Sequence, residues 1–283
     1  MLVNMKEMLH KADAEKYAVA HFNINNLEWT RFILEVCQNL NTPVILGVSE
    51  GAAKYMGGFY TVHNLVEGLI KDLNIQIPVA LHLDHGTSYE SCASAIDNGF
   101  TSVMIDASKY SLEKNIEITS KVVNYAHCKN VTVEAEVGAI GGEEDGIANE
   151  LAYAKVDDAI KLVKETEIDF LAPALGSVHG IYKGEPKLDF ERMIQIHEKT
   201  NVPLVLHGGS GIPDDLIKRA ISCGITKINI NTELQIAWSQ GVRTLLEENK
   251  TVYDPRKVIK GGEALMKKMI TTKLELFGSI NKA

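Results

Sequence analysis

The sequence lacks the features that mark several large classes of protein. It has no apolar run approaching the roughly 20 residues that a membrane helix needs. Its four cysteines are scattered without a C-x-x-C pair, which excludes a zinc site of paired thiolates and disfavours a disulfide framework. A net charge of −8, with no dense run of lysine or arginine, argues against nucleic acids and membranes as partners.

Residues 1–19 also lack the marks of an exported protein. They contain no long apolar segment and no small-residue cleavage site, so we expect no signal peptide. Their pattern predicts a short amphipathic helix instead. We therefore interpret the cysteines as reduced and mostly buried, and predict that the protein is cytoplasmic.

Short apolar runs recur along the chain, with segments of helical spacing between them. The runs predict eight strands, which begin near Tyr17, Pro43, Pro78, Thr101, Val131, Asp169, Pro203 and Thr226. Eight such units in 283 residues predict an α/β fold, the (β/α)8 TIM barrel. A doubly wound sheet is the alternative, but no G-x-G-x-x-G opens the first helix. Because no Ser-, Gly- or Pro-rich linker divides the chain, we predict one domain over residues 1–283 with a C-terminal helical extension.

Polar side chains stand at the ends of the predicted strands, where barrel enzymes place their chemistry. These side chains belong to Asp84, His85, Asp106, Glu136, His179, His207, Asn229 and Asn231. A single histidine at such a position would be explained as a buried, hydrogen-bonded imidazole. Three histidines, each followed by glycine, favour a metal. Neutral imidazole nitrogens that leave a fourth position for substrate suit Zn²⁺.

The neighbouring carboxylates and the two remaining strand histidines are open to more than one interpretation. Asp84, beside the first of the three histidines, is placed for acid–base catalysis, although it could instead orient a ligand. Asp106 fits the orienting role better, and Glu136 could be a ligand or a support. His82 lies back inside its strand, which favours packing or a supporting role, and His21 is ambiguous.

Glycine marks three further loops on the same rim. "HGGSG" ends the seventh strand and "NINTE" the eighth, and loops after these strands commonly bind phosphate in barrels. Ser210, Asn231 and Thr232 supply hydrogen-bond donors there. "GAIGGEEDG", residues 138–146, follows the fifth strand. It predicts either a lid that carries a carboxylate to the substrate or a plain solvated loop.

Several motifs, spread over nearly the whole chain, together resemble those of one known family. They are "HLDHG", "VMIDAS", "VEAEVG", "GGEEDG", "APALGSVHGIYKGEP", "LVLHGGSGIP", "KININTE" and "YDPR". In combination they resemble the class II, zinc-dependent ketose-bisphosphate aldolases. With "VILGVSEGAAKYMGGF", the chain looks most similar to the shorter bacterial fructose-bisphosphate aldolases.

This resemblance implies roles for the matching residues. His85, His179 and His207 would bind the zinc ion. Asp84 would be the acid/base at the oxygen beside the bond being cut, and Glu144 would transfer the proton at the enediolate carbon. The carboxylates with a supporting role, or with an alternative metal position, would be Asp106 and Glu136.

The resemblance also implies binding residues and an assembly. Substrate contacts are expected from Asn23, Ser49, Gly180, Gly208, Ser210, Asn229, Asn231, Thr232 and Arg256. A monovalent cation, Na⁺ or K⁺, is expected beside the phosphate at Val178, Gly180, Gly208 and Ser210. Arg256 would reach the distal phosphate from a neighbouring subunit, so we expect a homodimer or homotetramer.

The implied reaction is the cleavage of fructose 1,6-bisphosphate to dihydroxyacetone phosphate and glyceraldehyde 3-phosphate, a lyase step of glycolysis and gluconeogenesis. Tagatose 1,6-bisphosphate and a phosphorylated keto-deoxy-gluconate are alternative substrates. Asn231 favours fructose, because tagatose relatives tend to carry a small residue there, but "NTELQIAW" resembles tagatose-type sequences.

The residues at the strand ends disfavour three other kinds of protein. A lysine-based aldolase needs a placed lysine, and only Lys109 lies near one of these ends. A zinc hydrolase is a remote alternative, because the first strand reads "AHFN" and lacks the H-x-H that such barrels usually show. A non-catalytic phosphosugar-binding barrel would not need Asp84 beside a metal ligand.

Overall fold

A computed structural model describes residues 2–144, 147–149, 151–180, 182 and 184–283, and for residues 143, 144 and 147–149 it describes the backbone alone. The strands within these ranges are β1 (Val19–Asn23), β2 (Val44–Ser49), β3 (Val79–Gly86), β4 (Ser102–Ile105), β5 (Thr132–Val137), β6 (Gly141–Glu144), β7 (Ile147–Asn149), β8 (Phe170–Pro173), β9 (Val178–His179), β10 (Leu204–Leu206) and β11 (Ile225–Ile230). Eight of them are parallel and close into a barrel in the order β1-β11-β10-β8-β5-β4-β3-β2. The predicted TIM barrel and its eight strands are confirmed.

One helix precedes the first barrel strand, and the others follow barrel strands in the chain. They are α1 (Lys6–Glu15), α2 (Leu27–Asn39), α3 (Glu50–Tyr55), α4 (Phe59–Asp72), α5 (Tyr89–Asp97), α6 (Leu112–His127), α7 (Val156–Thr166), α8 (Phe190–Thr200), α9 (Asp214–Ser222), α10 (Thr232–Glu248), α11 (Pro255–Lys260) and α12 (Glu263–Phe277). Ser111 caps α6 by accepting a hydrogen bond from the Lys114 N–H. The predicted C-terminal extension is α11 and α12, and α12 packs against α10 and α2.

The alternation of side chains along β3 explains the unusual stretch "ALHLDHG". Leu81 and Leu83 belong to the large apolar cluster between the strands and the helices. Ala80, His82 and Asp84 alternate with them and therefore face the barrel interior. His82 and Asp84 thus lie inside the barrel. Asp84 is nearer the C-terminal mouth, and His82 lies deeper.

A second apolar cluster closes the opposite end of the barrel. Its larger members are Met5, Met8 and Leu9 of the α1 segment, together with Tyr17, Ile45, Phe170 and Val205. The predicted N-terminal helix is therefore present, and it covers the N-terminal end of the strands. None of the helices in the described ranges combines the length and apolar character needed to cross a bilayer.

A small three-stranded sheet lies at the C-terminal mouth, in the order β7-β6-β9. The backbones of β6 and β7 form an antiparallel hairpin, and β6 also pairs in parallel with β9. The sequence leaves residues 138–146 open between a lid and a solvated loop. Part of this segment, residues 141–144, is strand whose backbone pairs with the strand that contains His179.

Candidate active site

Three histidines meet at the C-terminal mouth of the barrel. His85 lies at the end of β3, His179 lies in β9, and His207 follows β10. One ring nitrogen of each histidine lies within 4.8 Å of a ring nitrogen of each of the other two. The distance from His85 Nε2 to His207 Nδ1 is 2.9 Å. The rings meet edge to face. The structure therefore brings together the residues that the sequence predicts as metal ligands.

The backbone at His85 departs from regular strand geometry. Its φ of +50° lies in the left-handed region, which is uncommon for a residue with a Cβ and often marks a functional site. The register of β3 against β4 also shifts between Leu83 and Gly86. This irregular end interrupts the alternation, so that Asp84 and His85, although consecutive, both reach the barrel mouth.

A buried ion pair beneath the mouth fixes the orientation of His207. Glu134 Oε1 is 2.8 Å from His207 Nε2, and Glu134 Oε2 accepts a hydrogen bond from Lys227 Nζ at 2.9 Å. Burial opposes ionisation of Glu134, but the Lys227 charge and the His207 bond outweigh it and lower the pKa of this carboxyl. The network assigns the Nε2 proton to the Glu134 bond, which leaves the Nδ1 lone pair for a metal.

Glu134 and Lys227 are not among the site residues predicted from the sequence. Both are fully buried inside the barrel, and a signal for them exists in the sequence. "VEAEVG" and "TKINI" each place a charged residue between apolar residues in the middle of a strand, where a charge needs a partner. Lys227 is held by a carboxylate, whereas Lys109, the lysine noted near a strand end, is exposed.

Two carboxylates lie on the other side of His85. Asp106 Oδ2 is 3.3 Å from His85 Nδ1, and Asp106 Oδ1 accepts hydrogen bonds from the N–H and hydroxyl of Ser108. Glu136 Oε2 is 3.9 Å from His85 Nδ1. Burial raises the pKa of Glu136 to about 8, and the nearby Asp106 charge adds to this effect. Asp106 is thus placed to orient His85, and the three side chains form a second possible ligand group.

Asp84 is held on both carboxylate oxygens. Asn23 Nδ2 donates to Asp84 Oδ2 at 2.9 Å, and Asn229 Nδ2 donates to Asp84 Oδ1 at 3.3 Å. His21 Nε2 lies 3.5 Å from Asp84 Oδ2. Burial would raise the pKa of Asp84, but the imidazoles of His21 and His85 outweigh it and hold the pKa well below its ordinary value. The carboxylate is therefore an oriented, ionised base beside a candidate metal ligand.

His21 and His82 fill the barrel interior beneath Asp84. Both are fully buried, and their rings meet edge to face with centroids 5.6 Å apart. His82 Nδ1 is 2.9 Å from the Ser102 hydroxyl, and burial lowers the pKa of His82 to about 3. A Cβ on Gly47 would come within 1.6 Å of His21 Nε2, so glycine at position 47 makes room for this ring. Both histidines line the interior and not the rim.

The residues expected to bind phosphate gather at the start of α10. The Ser210 hydroxyl accepts hydrogen bonds from the N–H groups of Asn231 and Glu233, each at 3.4 Å. Thr232 begins this 17-residue helix, and the N–H groups and dipole at a helix N-terminus attract anions. Within the described residues, the buried Oδ1 atoms of Asn229 and Asn231 accept no hydrogen bond. Both can therefore accept one from a substrate hydroxyl.

Glycines allow three backbone segments to converge beside His179. Gly208 has a φ of +64°, and a Cβ there would come within 2.2 Å of the Val178 carbonyl oxygen. Gly142 has a φ of +98°, and a Cβ there would come within 2.2 Å of the His179 carbonyl oxygen. Val178 and Gly208, both expected at a cation site, are thus in close approach, with Gly180 next to His179 in the chain.

The remaining expected site residues are Ser49, Arg256 and Glu144. The buried Ser49 hydroxyl caps α3 by accepting a hydrogen bond from the Ala52 N–H, which leaves its own proton available. The Arg256 side chain is 89% exposed and is bonded to Asp254. The side chain of Glu144 lies outside the part of the chain that the structure describes, although its backbone is in β6.

The donor set at the mouth fits a divalent transition metal. Three imidazoles converge, and burial lowers the pKa of His207, which favours the neutral form that binds metals. The second ring nitrogen of His207 bonds a carboxylate, the usual support for a metal-bound histidine. The residues present therefore suit a catalytic metal with an open coordination position.

Comparison with known proteins identifies the family of the chain. The family described as fructose-bisphosphate aldolase class-II matches residues 3–282. The chain is 59% identical to the fructose-bisphosphate aldolase of Geobacillus stearothermophilus over 283 residues, which covers 100% of this chain and 99% of that protein. It is 58% identical, with the same coverage, to the fructose-bisphosphate aldolase of Staphylococcus epidermidis.

Solved structures of aldolases share the fold over their whole length. The YdjI aldolase from Escherichia coli K12 superimposes with a TM-score of 0.87 at 34% identity, covering 100% of both chains. The fructose-bisphosphate aldolase of Campylobacter jejuni gives a TM-score of 0.87 at 26% identity, covering 100% of this chain and 97% of that one. With its closed barrel, its three converging histidines and a family match over nearly all its residues, the chain belongs to the class II fructose-bisphosphate aldolase family.

Proposed function

We propose that the protein cleaves fructose 1,6-bisphosphate into dihydroxyacetone phosphate and glyceraldehyde 3-phosphate. The observation that carries the proposal is the convergence of His85, His179 and His207 next to the oriented carboxylate of Asp84. A metal ligand beside an ionised carboxylate brings a Lewis acid and a base to neighbouring atoms of one ketose. The names of the full-length relatives support the choice of substrate.

The metal we propose is Zn²⁺, bound by the three histidines. When bound, it would supply Lewis-acid polarisation of the ketose oxygens. Two contacts would orient the ligands for the metal. His207 donates a hydrogen bond to Glu134, and Asp106 lies against the ring of His85. Glu136, close to the same ring, would support the site or take part in an alternative metal position.

Asp84 is the proposed acid/base of the cleavage. Its carboxylate would take the proton from the hydroxyl on the aldehyde side of the scissile bond. That oxygen then becomes the aldehyde carbonyl, and the electron pair of the broken carbon–carbon bond passes to the ketone half. Asn23 and Asn229 orient the carboxylate for this step. Glu144 would return a proton to the carbon of the ketone half and complete dihydroxyacetone phosphate.

We propose that the phosphate of the dihydroxyacetone half binds at the start of α10. Ser210, Asn231 and Thr232 lie there, where the helix dipole favours an anion. Gly180 and Gly208 offer backbone N–H groups from the converging segments. A monovalent cation, Na⁺ or K⁺, would lie beside this phosphate at Val178, Gly180, Gly208 and Ser210.

The distal phosphate is the proposed ligand of Arg256 from a second subunit in a homodimer or homotetramer. In its own chain this guanidinium is exposed and bonds only Asp254 among the described residues. Tyr253 beside it is 92% exposed. A guanidinium binds phosphate through two parallel hydrogen bonds, which suits the role.

A metal-replacement experiment tests this function. Aldolase activity, measured by coupling each product to NADH oxidation, should disappear after treatment with EDTA and return with Zn²⁺. Borohydride added together with substrate should not inactivate the enzyme. Covalent trapping of substrate on a lysine would overturn the metal mechanism. Parallel assays with fructose and tagatose bisphosphates decide the epimer, for which the buried Asn231 oxygen is a candidate determinant.

The Asp84→Ala variant separates aldolase from the remote alternatives. We expect turnover to fall at least about 100-fold, the scale of a lost general base, while zinc content stays at the wild-type level. Asp157→Ala, on the exposed first turn of α7, is the matched control and should retain full turnover. Release of inorganic phosphate would point to a hydrolase, and binding without turnover in the wild type would point to a sensor.

A further inference from the structure

Tyr182 connects the two segments that carry His179 and His207. Its hydroxyl accepts a hydrogen bond from the Val178 N–H at 3.0 Å and donates one to the Gly208 carbonyl at 2.9 Å. Val178 is the residue before His179, and Gly208 is the residue after His207. Because a tyrosine hydroxyl has one proton to donate and lone pairs to accept, it can make both bonds at once.

The sheet itself does not join these two segments. Within the described residues, β9 pairs only with β6, whereas β10 pairs with β8 and β11. The backbones of Val178 and Gly208 nevertheless approach so closely that a Cβ on Gly208 would come within 2.2 Å of the Val178 carbonyl oxygen. The Tyr182 hydroxyl therefore supplies hydrogen bonds across a close backbone contact that no strand ladder stabilises.

We infer that Tyr182 is a positioning residue for the metal site, which holds His179 and His207 at the separation that the metal requires. The inference rests on the proposed binding of a metal by these histidines. The tyrosine acts through the backbone on either side and not as a ligand. Of the three histidines, His85 lies at the end of a closed-barrel strand and His207 directly follows another, whereas His179 lies on a two-residue strand outside the barrel. His179 is thus the ligand that most needs such a support.

The two bonds and the metal should stabilise each other. If the hydroxyl holds the two ligands in the binding geometry, then metal binding must strengthen the hydroxyl contacts by the same factor, because coupling is reciprocal. Loss of a supporting contact around a metal ligand typically lowers metal affinity about 10- to 100-fold. Tyr182→Phe removes the hydroxyl and leaves the ring in place, so it isolates this contribution.

Zinc affinity of metal-depleted protein, measured by competition with a fluorescent chelator, tests the inference. We expect Tyr182→Phe to weaken affinity at least about tenfold and to alter the visible absorption spectrum of the Co²⁺-substituted protein. Tyr125→Phe is the control, since its hydroxyl bonds Asp97 at 2.7 Å on the outer surface, and its affinity should equal the wild type. Equal affinity in both variants would overturn the inference, while the metal site of the wild type would stand. A wild type that retains no zinc would overturn the metal site and the inference together.

Hydrogen exchange provides a measurement that does not depend on the variant. In the wild type, the Val178 amide should exchange slowly without metal, because Tyr182 accepts its N–H, and more slowly again with Zn²⁺. Circular dichroism shows whether Tyr182→Phe is folded. If it is not, exchange of the wild-type Val178 amide at the unprotected rate, with and without zinc, would be the result that overturns the inference.

Discussion

At the scale of single residues, the proposed base Asp84 and the proposed metal ligand His85 are consecutive in the chain. In a regular strand, the consecutive residues Asp84 and His85 would point to opposite faces. The left-handed backbone at His85 interrupts this alternation. The proposed base is therefore separated from a proposed ligand by one peptide unit, so the local backbone geometry sets their relative position.

Glu134→Gln should weaken both the fold and the metal site, by separable routes. The change leaves the buried Lys227 ammonium without a carboxylate, and breaking such a pair costs about 3–5 kcal/mol in the free energy of unfolding. It also disturbs the bond that orients His207, so metal affinity should fall about tenfold or more. Denaturant unfolding and chelator competition measure the two effects.

The double variant Glu134→Gln/Lys227→Met is the control for this prediction. It removes the unpaired charge and should recover most of the lost stability without recovering metal affinity. A single variant that unfolds at the wild-type denaturant concentration would show that the buried pair contributes nothing to stability.

Glu144→Gln should lower turnover at least about 100-fold with little change in KM. The reason is that the proposed proton transfer occurs only after substrate is bound. Glu143→Gln is the matched control, because it removes the same charge from the neighbouring position of β6. Steady-state kinetics and proton exchange on dihydroxyacetone phosphate provide the readouts. Wild-type turnover in Glu144→Gln would assign the proton transfer to another group.

Residues at the rim, Asp106 and Glu136 included, could be predicted from the sequence, whereas the contacts of Glu134, Lys227 and Tyr182 could not. The three histidines and Asp84 follow recognisable strand ends, and parallel strands of one barrel end on one rim. The partner of Lys227 lies 93 positions away in another strand, and only the strand register reveals it. Tyr182 acts through the backbone atoms of two segments, Val178 in β9 and Gly208 after β10, for which its sequence position provides no signal.

At the scale of elements, the predictability of the strands depends on their length and composition. The barrel strands are apolar runs bounded by turn residues, so their pattern is clear in the sequence. β6 contains two glycines and β9 has two residues, and their pairing joins positions 141–142 to 178–179. Neither has the alternation or the length that identifies a strand, so the small sheet could not be predicted.

Gly142→Ala should disturb the small sheet and, through it, the metal site. The backbone φ of +98° is unfavourable for alanine, and the new Cβ would approach the His179 carbonyl oxygen to 2.2 Å. We expect lower zinc affinity and lower turnover. Gly184→Ala is the matched control, since a Cβ there meets no atom within 4 Å. Equal zinc affinity in the two variants would show that the pairing of β6 with β9 does not support His179.

At the scale of the whole molecule, the two ends of the barrel have different compositions. The N-terminal end is closed by α1 and an apolar cluster, whereas polar and ionisable groups collect at the C-terminal mouth. This division is typical of TIM barrels, in which one end contributes stability and the other carries the chemistry. That residues 1–283 form one domain, and that the protein is cytoplasmic, remain predictions.

Arg256→Ala should raise KM for the bisphosphate and spare proton exchange on dihydroxyacetone phosphate, which lacks the distal phosphate. If the arginine serves a second subunit, mixing Arg256→Ala with Asp84→Ala should restore activity, because some hybrid sites contain both intact residues. Light scattering and a labelled-subunit control establish the assembly and the exchange of subunits. Exchange without recovered activity would show that Arg256 does not complete a neighbouring site.

The contact between Gly47 and His21 limits the order in which this sequence can change. A Cβ at position 47 would overlap the imidazole at position 21, so Gly47→Ala is harmful while His21 is present. A smaller side chain at position 21 would remove this overlap, and the same alanine would then be less harmful. The effects of the two substitutions are therefore not additive, and the effect of Gly47→Ala depends on whether position 21 has already changed. Drift at these two positions must begin at position 21.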